Sequence, residues 1–263
     1  MVIPLKGPNS RTRNATNPDR VMSITAHLDE LRSRIIRAGL WTILLASGLA
    51  FKWRLMMHEI LLPWQLARIP ESTAVGHLTL LTLSPTEPFF TVINVILAVA
   101  VVLASPIWIY EAWQFLGPTV PLAHRPWILR ALLIGLILFW TGVAVAFFGV
   151  IPASLRFLLL FAQGVFSESV RASAYLGFVT SFSLAMGAVF TVPVWLGIAV
   201  KLGWITPARL RRGRRIAFFL SAVFAAAVVP SQDPLTLLAV ILPVYGLYEA
   251  TIQISRWIRP LDW

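Results

Sequence analysis

The densest run of chemically capable side chains is His27-Leu28-Asp29-Glu30-Leu31-Arg32-Ser33-Arg34-Ile35. Leu28, Leu31 and Ile35 fall on one face of a helix. Glu30 stands four residues before Arg34, the favourable order for a helical ion pair. On these residues alone the segment is an amphipathic helix anchored by its arginines. A second polar group is Leu122-Ala123-His124-Arg125-Pro126, and Glu111 closes a long apolar run just before it. Thr191, two residues before Pro193, stands inside another apolar run. Its hydroxyl can bond its own i−4 carbonyl or reach across to a second helix. Asp233 in Pro-Ser-Gln-Asp-Pro has the turn chemistry of a helix N-cap. Glu249 calls for an ionic partner, with Arg256 or Arg215 as the candidates. Nothing here resembles a catalytic centre. There is no Walker A loop, no HExxH and no GxSxG. His27, His58, His77 and His124 are scattered, and cysteine is absent. The expected chemistry is ion pairing and hydrogen bonding, with no catalytic residue, metal or cofactor.

The elements that must carry these groups are apolar. Of 263 residues, 58% are hydrophobic and 13% charged, the mean hydropathy is +0.78, and 11 are tryptophan. Soluble domains are about a quarter charged, so a soluble enzyme, a disordered tail protein and a nucleic-acid-binding domain are excluded. The net charge of +11 is then a matter of membrane orientation. Six stretches approach the roughly 20 apolar residues that a bilayer requires. They are 35–51, 89–116, 128–151, 175–200, 216–229 and 235–254. The reading is an all-α integral membrane protein, six spans over 22–259, with a disordered extension at 1–21 and a short tail at 260–263. Met22 is a candidate start, and no signal peptide precedes the first apolar run. Of the 22 Lys and Arg residues, 17 fall on the side that holds both termini, which places that side in the cytoplasm. Pro85, Pro88, Pro118, Pro152, Pro207, Pro230 and Pro234 mark helix edges, whereas Pro106, Pro193 and Pro243 should kink spans. The loops 52–88 and 152–174 are long and carry amphipathic stretches, expected as helices on the outer face. The second span is overlong and the fifth, about 21 Å as helix, is short for a bilayer. No internal repeat is visible, which disfavours an inverted-repeat transporter.

Several segments resemble, in order, the multi-spanning TatC family of the twin-arginine protein translocase. They are HLDELRSRI at 27–35, SPTEPFF at 84–90, SPIWIYEAWQFLGP at 105–118 and YLGFVTSFSLAMGAVFTVPV at 175–194. ITPARLRRGRR at 205–215 and PSQDPLTLLAVILPVYGLYEA at 230–250 complete the set. The resemblance implies a receptor and scaffold in the bacterial inner membrane. It would bind twin-arginine signal peptides of folded proteins and organise TatA- and TatB-type single-span partners, driven by the proton-motive force. Further copies of the chain and anionic lipids are expected partners, and nucleic acid is not. Glu30 matches the recognition glutamate of the family, with Arg32 and Arg34 at basic positions beside it. A carboxylate suits the task because a guanidinium fork bonds it bidentately. Two positions depart from the family pattern. His124, followed by Arg125, stands where a second recognition glutamate is usual, so Glu111 is a candidate substitute with an interfacial acid as its alternative role. Thr191, before Val192-Pro193-Val194, replaces an acid or amide thought to meet a partner helix. Asp233 matches an acidic position of the family. A divergent paralogue dedicated to few cargoes, and a secondary transporter or channel, are the alternative readings.

Overall fold

The computed structural model describes residues 24–67, 80–117, 120–161, 170–229 and 234–257. The 1–21 extension, Met22, Asp233 and the 260–263 tail lie outside the described residues. Among the described residues the regular structure is helical apart from one isolated bridge between Leu81 and Arg171. Hydrocarbon offers no partner to a free peptide group, and helices satisfy those groups within the segment.

The helices are α1 (Ile24–Ala50), α2 (Trp53–Ile60), α3 (Leu62–Leu66), α4 (Glu87–Leu116), α5 (Arg125–Ala144), α6 (Ile151–Phe161), α7 (Ala172–Phe190), α8 (Val192–Lys201), α9 (Pro207–Arg212), α10 (Arg214–Val228) and α11 (Pro234–Ser255). Each of the six expected spans falls on one of these helices or on a contiguous pair. Four stretches are long and apolar enough to cross a membrane: α4, α5 with α6, α7 with α8, and α11. α1 passes the same test only together with α2 and α3, from which it is bent by 93°. The last span before α11, α10, has 15 residues. That is about 22 Å of helix, so its expected shortness holds.

Two boundaries differ from the sequence reading. The amphipathic segment at Glu30 is not a separate helix but the first turns of α1. Pro152 does not end its span. A π-helical segment, Val145–Val150, joins α5 to α6, and the helix runs on to Phe161. The wider π turn, in which the Ile151 N–H bonds the Ala146 carbonyl, relieves the clash of a proline ring with the preceding turn. The expected amphipathic stretch after Pro152 is therefore the end of a continuous 37-residue helix.

α7 is the most buried of the long helices, with Phe182 and Met186 fully enclosed. It packs on α4 and α5, α1 lies along α4, and α10 and α11 form a hairpin that meets α8. α5 and α7 interlock through glycines. A Cβ on Gly142 would lie 2.7 Å from the Met186 carbonyl oxygen, and one on Gly187 would lie 2.8 Å from the Phe139 ring edge. Small residues at helix crossings let backbones approach where lipid gives no hydrophobic drive to associate.

One end of the bundle, called here the basic end, gathers the start of α1, the end of α4, the start of α5 and the α8–α10 connection. At the opposite end α2 and α3 fold back onto the bundle. The Trp64 and Tyr175 rings meet edge to face at 5.5 Å, and the Tyr175 hydroxyl donates to the Ile60 carbonyl at 3.4 Å. The helices expected on or near the outer face in the first long loop form at this end, with Ile60 and Ala67 buried against the core. The lead-ins to α4 and α7 are clasped together. Leu81 N–H donates to the Val170 carbonyl and Ala172 N–H to the Leu81 carbonyl, at 3.0 and 2.9 Å. Beneath them Arg171 Nε meets the buried Glu87 carboxylate at 2.7 Å, while Leu83 N–H donates to its other oxygen at 2.8 Å.

The glycine crossing yields an ordered prediction. Gly142→Ala forces backbone against backbone and should cost about 2 kcal/mol, the usual scale of overpacking. Gly187→Ala meets only the ends of side chains and should cost less. Thermal unfolding in detergent checks this, and equal midpoints for the two variants would contradict the packing argument.

Candidate functional site

At the basic end the first turns of α1 lie against the last turns of α4. Glu30 and Arg34 share one face of α1 because residues four apart stack on a helix. Arg34 Nε donates to Glu30 Oε1 at 3.0 Å, and Nη2 donates to the same oxygen. The third nitrogen, Nη1, reaches across to Oε2 of Glu111 on α4 at 3.4 Å. Arg37 adds Nη1 at 3.6 Å from the other oxygen, Oε1. Glu111 is nearly enclosed, with 7% of its side chain exposed, whereas Arg37 is 54% exposed. A carboxylate so enclosed costs free energy unless paired, and two guanidiniums pair it. Glu111 is thus a cross-helix ion-pair partner, not a lone interfacial acid.

Of the sequence-predicted residues, Glu30, Arg34 and Glu111 come together. Arg32, two residues from Glu30, is exposed on another face of α1. His124 ends a 3₁₀ turn (Leu122–His124) that leads into α5, and Arg125 turns its Nε to the Val120 carbonyl at 3.2 Å. These two residues make their own turn. Arg37 was not singled out from the sequence; its signal is the spacing Glu30, Arg34, Arg37, one continuous helical face.

A groove of about 290 Å³ opens beside the network, lined by Leu31, Ile35, Ala38, Phe115, Trp108 and Trp195 among others. Trp108 and Trp195 also line a second apolar groove of about 270 Å³, which reaches Ser105 and Thr191 at mid-span. Thr191 marks the break between α7 and α8. Its hydroxyl donates to the Ala188 carbonyl at 2.7 Å, an i−3 bond in place of the i−4 bond weighed from the sequence. Pro193 sits in the first turn of α8, where its missing N–H costs nothing. The interruption at the expected kink is local: Thr191 keeps a helical backbone, φ −81° and ψ −16°, and α7 with α8 makes one membrane-length stretch.

The α8–α10 connection is a built structure. Gly203, at φ 76°, ends α8 with Trp204 N–H bonded to the Ala199 carbonyl and Gly203 N–H to Val200, a Schellman arrangement. Thr206 caps α9, accepting from Arg209 N–H at 3.3 Å. Tyr248 of α11 donates to the Leu210 carbonyl at 2.8 Å. Glu249 pairs with Arg214 at 2.9 Å and accepts from Tyr245 at 2.9 Å. Its partner is therefore Arg214, not Arg215 or Arg256, because α11 runs beside the first turn of α10. Asp233, the remaining predicted acid, lies outside the described residues.

Sequence reading also passed over Glu87, although the motif that contains it was noted. Arg171 is held there by the carboxylate, which raises the guanidinium above its ordinary value. Glu87 works at the opposite end, so it belongs to the scaffold and not to the network at Glu30. Among the described residues no group of three or more His, Asp or Glu side chains is arranged to hold a metal.

The model of the family described as "Sec-independent protein translocase protein (TatC)" matches residues 26–243. The chain belongs to the TatC family. It is 34% identical over 237 residues to the Sec-independent protein translocase protein TatC of Aquifex aeolicus, covering 89% of this chain and 95% of that one. The corresponding protein of Carboxydothermus hydrogenoformans is 30% identical over 244 residues, covering 93% and 97%. A crystal structure of the twin-arginine translocase receptor TatC superposes with a TM-score of 0.76 at 29% identity, over 88% of this chain and 99% of that one. The chain is accordingly a core component of the twin-arginine translocase, a multi-pass membrane protein with the TatC fold. The matched span takes in Glu30, Glu111, His124, Thr191 and Asp233, and stops short of Glu249.

Within this TatC protein the Thr191 hydroxyl already has an acceptor in its own helix. Thr191→Val should therefore lower co-purification of other translocase components by less than about twofold, the scale of a weak interhelical hydrogen bond. Loss of co-purification would show that the hydroxyl is shared with a partner.

Proposed function

We propose that this chain is the receptor and scaffold of the translocase, binding twin-arginine signal peptides at its basic end. The observation that carries the reading is the pair Glu30 and Glu111. Two carboxylates from different helices are already arranged around guanidinium groups, the chemistry a twin-arginine ligand presents. Glu30 is the primary acceptor and Glu111 supplies the acid that His124 does not. Arg34 holds both carboxylates, while Arg32, His124 and Arg125 would meet the peptide from outside this network. A neutral His124 accepts a hydrogen bond, while its protonated form repels arginine. The grooves at Trp108 and Trp195 provide apolar surface adjoining the carboxylates.

The orientation follows from charge: the end carrying most of the Lys and Arg residues, with both termini, faces the cytoplasm of a bacterial inner membrane. The five arginines between Arg209 and Arg215 contact anionic lipid there. TatA- and TatB-like single-span proteins dock at the α7–α8 break, around Thr191 and Pro193, and further copies of the chain complete the assembly. Transport draws on the proton-motive force. His124 favours a second reading, a paralogue serving few cargoes, because the usual second glutamate is replaced.

The test is photo-crosslinking in membrane vesicles, with a probe beside the arginine pair of a precursor. Crosslinks with Arg-Arg but not Lys-Lys support the receptor, and crosslinks with neither refute it. Glu30→Gln should lower signal-peptide affinity about tenfold, the scale of a charge-assisted hydrogen bond, without changing topology. His124→Glu should raise affinity by restoring a second carboxylate; unchanged affinity would place this turn outside the site.

A further inference from the structure

We infer that Arg34 and Arg37 are resident stand-ins for the ligand's two arginines, so that a twin-arginine segment binds by exchange, taking their places on Glu30 and Glu111. The inference rests on the receptor reading above. It starts from the way one guanidinium uses all three of its nitrogens. Nε and Nη2 of Arg34 bond Glu30, and Nη1 bonds Glu111, 77 residues away on another helix. A planar fork can bridge two carboxylates in this manner, whereas the compact ammonium of lysine offers a single charged point. The pair is thus a slot shaped for one guanidinium. Glu111 adds a second position, since its Oε1 faces Arg37 while its Oε2 faces Arg34. The chain presents two of its own arginines, one helical turn apart, to two of its own carboxylates.

Charge balance decides between addition and exchange. The network holds two carboxylates and two guanidiniums, and Glu111 is almost wholly enclosed. Two further cations entering this enclosure would face like charges at close range, because both carboxylates of the network are already paired. They fit only if the residents leave. Arg37 can leave at small cost, while Arg34, 15% exposed and bonded to Glu30, leaves only as an incoming guanidinium takes over its carboxylates. The cross-helix contacts are 3.4 and 3.6 Å, and Arg37 is more than half exposed on a long apolar stem. At a membrane surface such a stem lets the head move out to water and lipid phosphate. Affinity is then a difference between two sets of similar ion pairs, and arginine selectivity arises because the slot is built around arginine.

The experiment uses membrane vesicles carrying the full translocase and a fluorescent twin-arginine signal peptide, with its twin-lysine counterpart as control. Affinity is measured for the unmodified chain and for Arg34→Met, Arg34→Lys and Glu30→Gln. Exchange predicts that Arg34→Met binds the twin-arginine peptide about fivefold more tightly, the worth of a partly exposed ion pair removed from competition. Arg34→Lys should bind it more tightly by a smaller factor, and it serves alone should the methionine variant fail to insert. Unchanged or weaker binding in the Arg34 variants, with Glu30→Gln weakened, overturns the stand-in role and leaves the receptor intact. Undiminished binding in Glu30→Gln overturns the receptor reading itself, and the exchange with it.

Discussion

Inside hydrocarbon every polar group must find its partner within the protein, and this constraint organises the whole molecule. Peptide groups close on themselves as helices. Hydroxyls follow suit: Thr42, Thr91, Thr141, Ser154, Thr180 and Thr251 each donate to the carbonyl four residues back. Two indoles use a hydroxyl as a bridge between helices, Trp108 to Thr42 and Trp140 to Ser105, at 3.2 and 3.1 Å. Charged groups are pushed to the two ends, where they either face water or pair. The cross-helix ion pairs Arg34–Glu111, Arg171–Glu87 and Arg214–Glu249 all lie there. With the interior reduced to shape complementarity, contacts such as the Gly142–Gly187 crossing set how the helices meet, and the ends set what the molecule can recognise.

Much of this was legible in the sequence because the bilayer imposes a length. Apolar runs near 20 residues separated by basic or proline-rich turns mark spans almost regardless of their neighbours, and all six expected spans fall on helices. What failed was local. Pro152 reads as a boundary because proline usually is one, and a π turn has no compositional signature. The end of α6 reads as a separate surface helix for the same reason. The Thr191 hydroxyl makes one of the two bonds the sequence leaves open, within its own helix, though the acceptor is three residues back and not four.

The site was legible in part. Glu30 and Arg34 could be paired from spacing alone, as the i, i+4 rule needs no tertiary structure. The proximity of Glu111 to α1 could not, because no pattern in α4 says which helix its last turns meet. Glu249 shows the same limit: its need for a cation was clear, but the choice of Arg214 depends on how α10 and α11 lie side by side. Glu87 was hidden inside a recognised motif. Its acid looks like an ordinary first-turn residue until Arg171, 84 positions later, is folded against it.

The clasp at Leu81, Glu87 and Arg171 means that α4 carries a differently fastened carboxylate at each end. At the clasped end the lead-ins of α4 and α7 are joined by two backbone hydrogen bonds, a short ion pair from half-exposed Arg171 to buried Glu87 and a backbone amide on the same carboxylate. At the other end α4 meets α1 through longer guanidinium contacts beside open grooves. Glu87 and Glu111 stand 24 residues apart on one helix, about 36 Å along its axis. A change of partner on Glu111 therefore breaks none of the bonds that join the lead-ins of α4 and α7.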